Sequence, residues 1–177
     1  MATLSVGGTT VFDGSALQSG VTGTIGTGVT FPTGHILQSV WAGDKSNIST
    51  ASQDDQPITA LECSLTARQT DGKFVCIFIA GRVDDNVATG HVAARLYKSE
   101  NGGAYARVDN PAVSNNESVA FSGNYTGVCA FCYQYTATIT AGQNIKFKPY
   151  FSSDNDTTLS YMNLNGFMSL TVQEIQL

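Results

Sequence analysis

Apolar and polar residues alternate over short runs in most of the chain beyond residue 34, and this period of two predicts β-strands. In the run 128–139, for example, Cys129, Phe131, Tyr133 and Tyr135 lie on one side of the predicted strand. Short strands at this spacing, about eight to ten of them, predict an all-β sandwich or barrel. The predicted strands are His35–Trp41, Ile58–Ala67, Phe74–Ala80, Val92–Tyr97, Ser118–Phe121, Val128–Ile139, Ile145–Phe151, Leu159–Met162 and Phe167–Ile175.

The dipeptide Asp71-Gly72 lies between the second and third of these strands. Asp-Gly between two apolar runs favours a tight β-hairpin, because its type I′ turn needs positive φ at both central residues. We therefore expect a hairpin at this position.

The strand Phe74–Ala80 is apolar on both of its faces. One face of each strand in a two-sheet sandwich usually contacts solvent, and an exposed face of this kind would exceed the apolar patches that soluble monomers tolerate. This pattern predicts a subunit interface. Tyrosines on a neighbouring strand suit it as well, because they supply contact area while the hydroxyl stays hydrated. The residues assigned to the interface are Phe74, Cys76, Phe78, Tyr133 and Tyr135.

The first 43 residues contain one formally charged side chain, Asp13, and the stretch 19–30 consists almost wholly of glycine, threonine and β-branched residues. Disordered segments usually carry more charge and fewer β-branched residues. An isolated arm would leave its apolar side chains exposed to water, so a partner surface is expected to cover them. We therefore divide the chain into an extended assembly arm at 1–33 and a β-sandwich domain at 34–177. The arm residues predicted to dock are Val21, Ile25, Val29 and Phe31.

Charged residues make up 13% of the 177 residues, and the formal net charge is −5. The nine Lys and Arg residues are scattered and form no basic stripe along the sequence, which argues against nucleic acid and anionic membranes as partners. No apolar stretch approaches the roughly 20 residues that cross a bilayer, and the N-terminus lacks a charged region followed by an apolar one. We therefore expect a chain made in the cytoplasm without a signal peptide.

Four cysteines are present, and Cys129 and Cys132 form a C-x-x-C pair of the kind used by zinc and redox sites. Residues three apart on a strand point to opposite faces, so these two sulfurs should diverge. Cys63 and Cys76 are in phase with apolar neighbours and are expected in the core. The sequence therefore predicts buried, free thiols without a metal.

Candidate catalytic residues do not cluster along the chain. His35 and His91 begin separate strands, and no G-x-S-x-G elbow accompanies them. The acidic pairs 54–55 and 84–85 fall in polar loops, where solvated carboxylates are common. We expect no enzymatic activity, no catalytic residue and no cofactor.

Two smaller points stay open at the level of sequence. Asp154 and Asp156 could offer oxygen ligands to a structural calcium ion, although the segment lacks the glycine and distal glutamate of an EF-hand loop. Trp41, the single tryptophan, is interpreted as a core or interface residue, with a stacking platform for a sugar as the alternative.

Two resemblances add to this picture. The segments Thr138–Phe147 and Asn165–Ile175 resemble the last strands of the trimeric jelly roll of the tumour-necrosis-factor and complement type, which implies a homotrimeric jelly roll. The chain as a whole is similar to virion structural proteins of marine and freshwater bacteriophages, and departs from them at the cysteine-rich stretch 128–132. The stretches that carry this likeness are Phe31–Gln38, Ser46–Thr50, Ile58–Leu61 and Val172–Ile175.

The phage resemblance implies a virion protein on the outside of the particle, made in the host cytoplasm, with itself and the major capsid protein or other virion proteins as partners. A trimeric capsid decoration (cement) protein would dock through its arm. The alternative is a tail-fibre tip that binds a host surface glycan or protein receptor. An arm of 33 residues is short for a fibre stem and carries no heptad pattern, which favours decoration.

Overall fold

A computed structural model describes residues 3–6, 9–13, 16–17, 32–85, 91–108, 120–122, 127–153, 160–162 and 166–177. The chain separates into two compact units, Met1–Phe31 and Pro32–Leu177. The predicted docking residues Val21, Ile25, Val29 and Phe31 lie outside the described residues.

The N-terminal unit contains a small antiparallel sheet in the order β1-β2-β3. Where the sequence predicts an extended arm, the described strands of this unit pair with one another, with a register shift between Leu4 and Ser5. Docking of this unit onto another surface stays a prediction. Its strands are β1 (Thr3–Val6), β2 (Thr9–Asp13) and β3 (Ala16–Leu17).

The described residues of the second unit form two six-stranded antiparallel sheets. A short 3-10 turn at Thr59–Leu61 interrupts the predicted strand Ile58–Ala67. Within the described part of the chain, no helix is long and apolar enough to span a membrane. The strands are β4 (Ile36–Asp44), β5 (Ile48–Thr50), β6 (Gln56–Pro57), β7 (Cys63–Thr66), β8 (Lys73–Asp85), β9 (His91–Glu100), β10 (Ala106–Arg107), β11 (Ala120–Ser122), β12 (Gly127–Thr136), β13 (Asn144–Ser153), β14 (Ser160–Met162) and β15 (Met168–Ile175).

The strand order is that of a jelly roll. The first sheet runs β4-β15-β8-β12, and β14 and β5 extend it beside β8. The second sheet places β13 between β7 and β9, with β10 and β11 both pairing with β9. Each sheet therefore interleaves early and late strands of the chain, as two wound Greek keys require. The predicted all-β jelly-roll sandwich is confirmed.

The predicted hairpin at Asp71-Gly72 is wrong. Its two flanking strands belong to different sheets, since β7 pairs with β13 whereas β8 pairs with β15 and β12. The segment crosses between the sheets, and Asp71 has positive φ (54°). Backbone hydrogen bonds hold it to the segment that follows β12. The Asp71 N–H donates to the Ile139 carbonyl (2.8 Å), and the Ala137 N–H donates to the Gly72 carbonyl (2.9 Å). The dipeptide does make a turn, but the strand partners lie elsewhere.

The core lies between the two sheets, and the inner face of β8 is part of it. Phe74, Cys76 and Phe78 are fully buried within a single subunit. The Phe74 ring lies 5.4 Å from that of Phe147 in the opposite sheet, and the Phe78 ring lies 4.9 Å from that of Phe131. These three residues cannot contact a second subunit while the subunit stays folded, which corrects their assignment to the interface.

The other two residues assigned to the interface also point inward. Tyr133 and Tyr135 are partly buried against the core, and the Tyr135 hydroxyl donates to Glu100 (2.7 Å). The Tyr135 ring meets the Phe147 ring edge-on at 6.0 Å. The alternation of β12 was predicted correctly, but the phase that contains the tyrosines faces the core.

One charged side chain is fully buried in the first sheet. Glu174 lies on β15 in phase with Met168, Leu170 and Val172. Its carboxylate accepts hydrogen bonds from the backbone N–H groups of Arg68 (2.9 Å) and Gln69 (3.1 Å) and from the Gln38 amide. A carboxylate that accepts several N–H bonds tolerates burial. Glu174 thereby anchors the connection between β7 and β8 to the last strand.

Candidate functional site: the uncharged face of the first sheet

The outward face of the first sheet carries no charge over three consecutive rungs of its four main strands. Each rung is a row of four paired residues, one from each strand. We call the outward side chains of these three rungs the uncharged face. An exposed sheet face normally carries polar and charged side chains. The chain contains 23 formally charged residues (9 basic and 14 acidic), and none of them lies in these three rungs. From β12 to β4 the rungs read Ala130–Ile79–Ser169–Gly43, Cys132–Ile77–Thr171–Trp41 and Gln134–Val75–Gln173–Ser39.

Large apolar side chains stand exposed on this face. Trp41 is 62% exposed and Ile79 is 44% exposed. Phe167, which is 42% exposed and immediately precedes β15, stacks on Trp41 with ring centroids 6.0 Å apart. The position of Trp41 contradicts its interpretation as a core residue and leaves an interface or a stacking platform.

Two glycines allow the aromatic pair to lie flat on the sheet. A Cβ at Gly43 would lie 2.5 Å from the Trp41 ring and 2.7 Å from the Phe167 ring. A Cβ at Gly81 would lie 2.9 Å from the Phe167 carbonyl oxygen, which accepts the Gly81 N–H at 2.8 Å. Both rings therefore cover the backbone of Gly43, while Gly81 lets the backbone of Phe167 approach β8, and the two rings present an apolar surface to the outside.

The four cysteines, which all lie among the described residues, divide between the core and this face. Cys63, Cys76 and Cys129 are buried, and burial raises the pKa of the Cys63 thiol to about 11 and that of Cys129 to about 12. Cys132 is exposed on the uncharged face. The predicted divergence of Cys129 and Cys132 is confirmed, whereas the expectation that all four thiols are buried is wrong for Cys132.

The remaining candidates do not assemble into a reactive site in the described residues. His35 lies exposed in the turn before β4, and Asp55 pairs with Arg95. Among the described side chains, no group of three or more His, Cys, Asp or Glu could hold a metal ion. The His91, Asp84 and Asp85 side chains, and the calcium candidates Asp154 and Asp156, fall outside the described side chains.

No protein-family model and no curated protein matches the chain. Similar solved structures include a crystal structure of the infectious bursal disease virus VP2 subviral particle, with a TM-score of 0.47 and 14% identity, covering 77% of this chain and 32% of that chain. The structure of infectious bursal disease virus Gx strain gives a TM-score of 0.45 and 16% identity, covering 77% of this chain and 31% of that chain. The chain thus spans about a third of the length of each of these two viral chains. The order of the strands in the two sheets establishes the jelly roll independently of this likeness.

Proposed function

We propose that this chain is a non-enzymatic structural subunit of a virus particle, and that it works as a homotrimer. The observation that carries the proposal is the uncharged face with its exposed Trp41, Phe167 and Ile79. Apolar surface of this kind gains free energy when another protein surface covers it. The resemblance of the sequence to phage virion proteins supports the location.

A second copy of this chain is the occupant that the charge distribution favours. The chain carries a formal net charge of −5, so two copies repel each other as a whole. The uncharged face has no such penalty, since its polar members are serine, threonine and glutamine. The trimer contact predicted on the inner residues of β8 therefore moves to Val75, Ile77 and Ile79 on the other side of the same strand.

Decoration of a capsid is the role that we favour for the trimer, with the N-terminal unit as its attachment to the shell. Three such units in one trimer would bind the shell with a raised effective concentration, so that weak single contacts add up to firm attachment. A tail-fibre tip that binds a host receptor is the second candidate, and in that role the exposed Trp41 and Phe167 pair would contact the receptor instead of a second copy of the chain.

Replacing Ile79 with aspartate is expected to dissociate the assembly, because it places three like charges against one another on a face whose three rungs contain no cation. A penalty of about 3 kcal/mol would raise the dissociation constant roughly 100-fold. Light scattering measures the mass of the assembly. Thiol labelling without denaturant measures whether a partner covers the uncharged face, because Cys132 is the exposed thiol on that face. Wild-type chain should label slowly and Ile79→Asp should label quickly at one thiol.

The matched control is Thr66→Asp, which adds the same charge at an exposed position of β7 in the second sheet. It should keep the wild-type mass and the slow labelling. A wild-type chain that stays monomeric at micromolar concentration, with Cys132 freely reactive, would contradict assembly through this face.

Deleting residues 1–31 should leave a trimer that folds but no longer attaches to particles. The cut falls at the boundary between the two compact units and keeps the Gly34 N–H bond to the Gln176 carbonyl (2.8 Å). Co-sedimentation with particles that lack the protein measures attachment, and full-length chain with Ile25 and Val29 both replaced by aspartate tests the same contact without truncation. If the truncated trimer attaches as well as the full chain, this unit is not the anchor.

A further inference from the structure

Three tyrosines come together on the outward face of the second sheet, on the opposite side of the sandwich from the uncharged face. Tyr97 lies on β9 and Tyr150 on the neighbouring β13, and their ring centroids are 4.0 Å apart. Tyr105, in the segment that follows β9, brings its ring to 6.2 Å from that of Tyr150. All three are partly exposed. We call this group, with the charged side chains that surround it, the tyrosine patch.

Ion pairs hold the patch in one arrangement. The Tyr97 hydroxyl donates to Asp55 at 2.5 Å, and Asp55 also pairs with Arg95, whose guanidinium donates to Ser152 at 2.7 Å. Since these partners fix the side chains before any ligand arrives, little conformational entropy remains to be lost on binding. Burial and the bond to Asp55 raise the pKa of Tyr97 to about 12, so the hydroxyl keeps its proton at neutral pH.

A second network holds the other end of the patch. Glu62 accepts a hydrogen bond from the Tyr105 hydroxyl (2.7 Å) and forms ion pairs with Lys148 (2.8 Å) and Lys146 (3.0 Å). The Lys148 ammonium lies 4.3 Å from the centre of the Tyr105 ring. Hydrogen bonds from Lys148 and Tyr105 hold the pKa of Glu62 at about 2, so the carboxylate stays ionised throughout the neutral range.

The patch is locally positive in an acidic chain. It contains four cations, Arg95, Arg107, Lys146 and Lys148, against the two carboxylates of Asp55 and Glu62, which gives a formal charge of +2 (4 − 2) where the whole chain carries −5. Lys146 retains substantial exposure, and Arg107 is exposed opposite Tyr97 on the strand ladder. A ligand that approaches this face therefore meets a surface that attracts anions.

We propose that the tyrosine patch binds an acidic carbohydrate, a saccharide that carries carboxylate or sulfate groups. In this complex the tyrosine rings stack on the apolar C–H faces of a sugar. Lys146 and Arg107 contact its anionic group, and the carboxylates of Asp55 and Glu62 accept hydrogen bonds from its hydroxyl groups. Single-stranded nucleic acid also suits aromatic and basic surfaces. The two carboxylates among the rings favour the saccharide, because they can accept hydrogen bonds from its hydroxyl groups, whereas the phosphodiester backbone of single-stranded DNA offers no such donors.

The inference concerns the other sheet and does not depend on the proposed assembly. Binding is measured by titration calorimetry on the full-length protein at low salt, with 3′-sialyllactose as the carboxylated probe, a heparin hexasaccharide as the sulfated probe, lactose as the neutral one and an oligothymidine as the nucleic acid. At least one acidic saccharide should bind at least about tenfold more tightly than lactose and more tightly than the oligothymidine. The acidic probe that binds identifies the anionic group.

Two variants test the location. Lys146→Ala should weaken binding of the acidic saccharide by about tenfold, while Lys148 continues to hold Glu62. Lys45→Ala, which removes an exposed lysine beyond the end of β4, is the matched control and should bind as the wild type does. The proposal is overturned if no saccharide binds, if lactose binds equally well, if the oligothymidine binds most tightly, or if Lys146→Ala leaves the affinity unchanged. Light scattering of the same samples reports assembly separately.

Discussion

Replacing Phe74 with alanine is expected to lower the free energy of unfolding by about 4 kcal/mol, the usual cost of removing a fully buried phenylalanine. Phe74 has no exposed surface, and its ring packs on Phe147 across the sandwich, so truncation leaves a cavity between the two sheets. Urea unfolding measures the change from the shift in midpoint at constant slope. The measurement is made in the Ile79→Asp background, where assembly does not add to the stability of the subunit.

Val75→Ala provides the matched comparison, because Val75 is the next residue on β8 and faces outward. In the dissociated background it should cost less than about 1 kcal/mol, as truncations of partly exposed side chains usually do. In the otherwise wild-type chain it should weaken assembly, whereas Phe74→Ala should act on subunit stability. If Phe74→Ala instead dissociated the assembly and left the stability of the subunit unchanged, β8 would present the opposite face to its partner.

Replacing Glu174 with leucine is expected to destabilise the fold by about 3 kcal/mol, although leucine is similar in size and more apolar. The backbone N–H groups of Arg68 and Gln69 both donate to this carboxylate, and each partly buried donor left without an acceptor costs about 1–3 kcal/mol. The anchor for the connection between β7 and β8 is lost at the same time. Urea unfolding at neutral pH measures the effect.

Glu174→Gln separates the charge from the hydrogen bonds. The amide oxygen can still accept from Arg68 and Gln69, while its NH₂ group meets the Gln38 amide that formerly donated to the carboxylate. We therefore expect about half the loss seen with leucine. Equal stability of the leucine variant and the wild type would show that the backbone donors find other acceptors, and that Glu174 is not the anchor.

The tyrosine patch shows how a site can escape sequence analysis. Tyr97 and Tyr150 are 53 positions apart, and they meet because β9 and β13 pair with Tyr97 opposite Lys148 and Tyr150 opposite Arg95. Along the sequence the basic residues are scattered, which argued against an electrostatic partner surface. The fold gathers four of the nine Lys and Arg residues onto one face of one sheet.

The local pattern of the chain predicted the longer strands of the sandwich and, within each of them, which side chains share a face, but not the short strands β5, β6 and β10. Alternation in β12 correctly separated Cys129 from Cys132, which lie on opposite faces of that strand. This result needs no knowledge of a partner strand, because the side-chain period of two follows from backbone geometry alone.

The tertiary structure decided which face is inside and which strands pair. Both faces of β8 are apolar, so the period of two does not distinguish Phe74 and Phe78 from Ile77 and Ile79, and the sequence alone predicts an interface where the core lies. Asp71-Gly72 formed a turn, but whether that turn joins two paired strands or crosses between sheets depends on contacts with β13, β12 and β15. Those contacts join residues far apart in the chain, and strand pairings of similar local energy are distinguished only when all the strands are packed together.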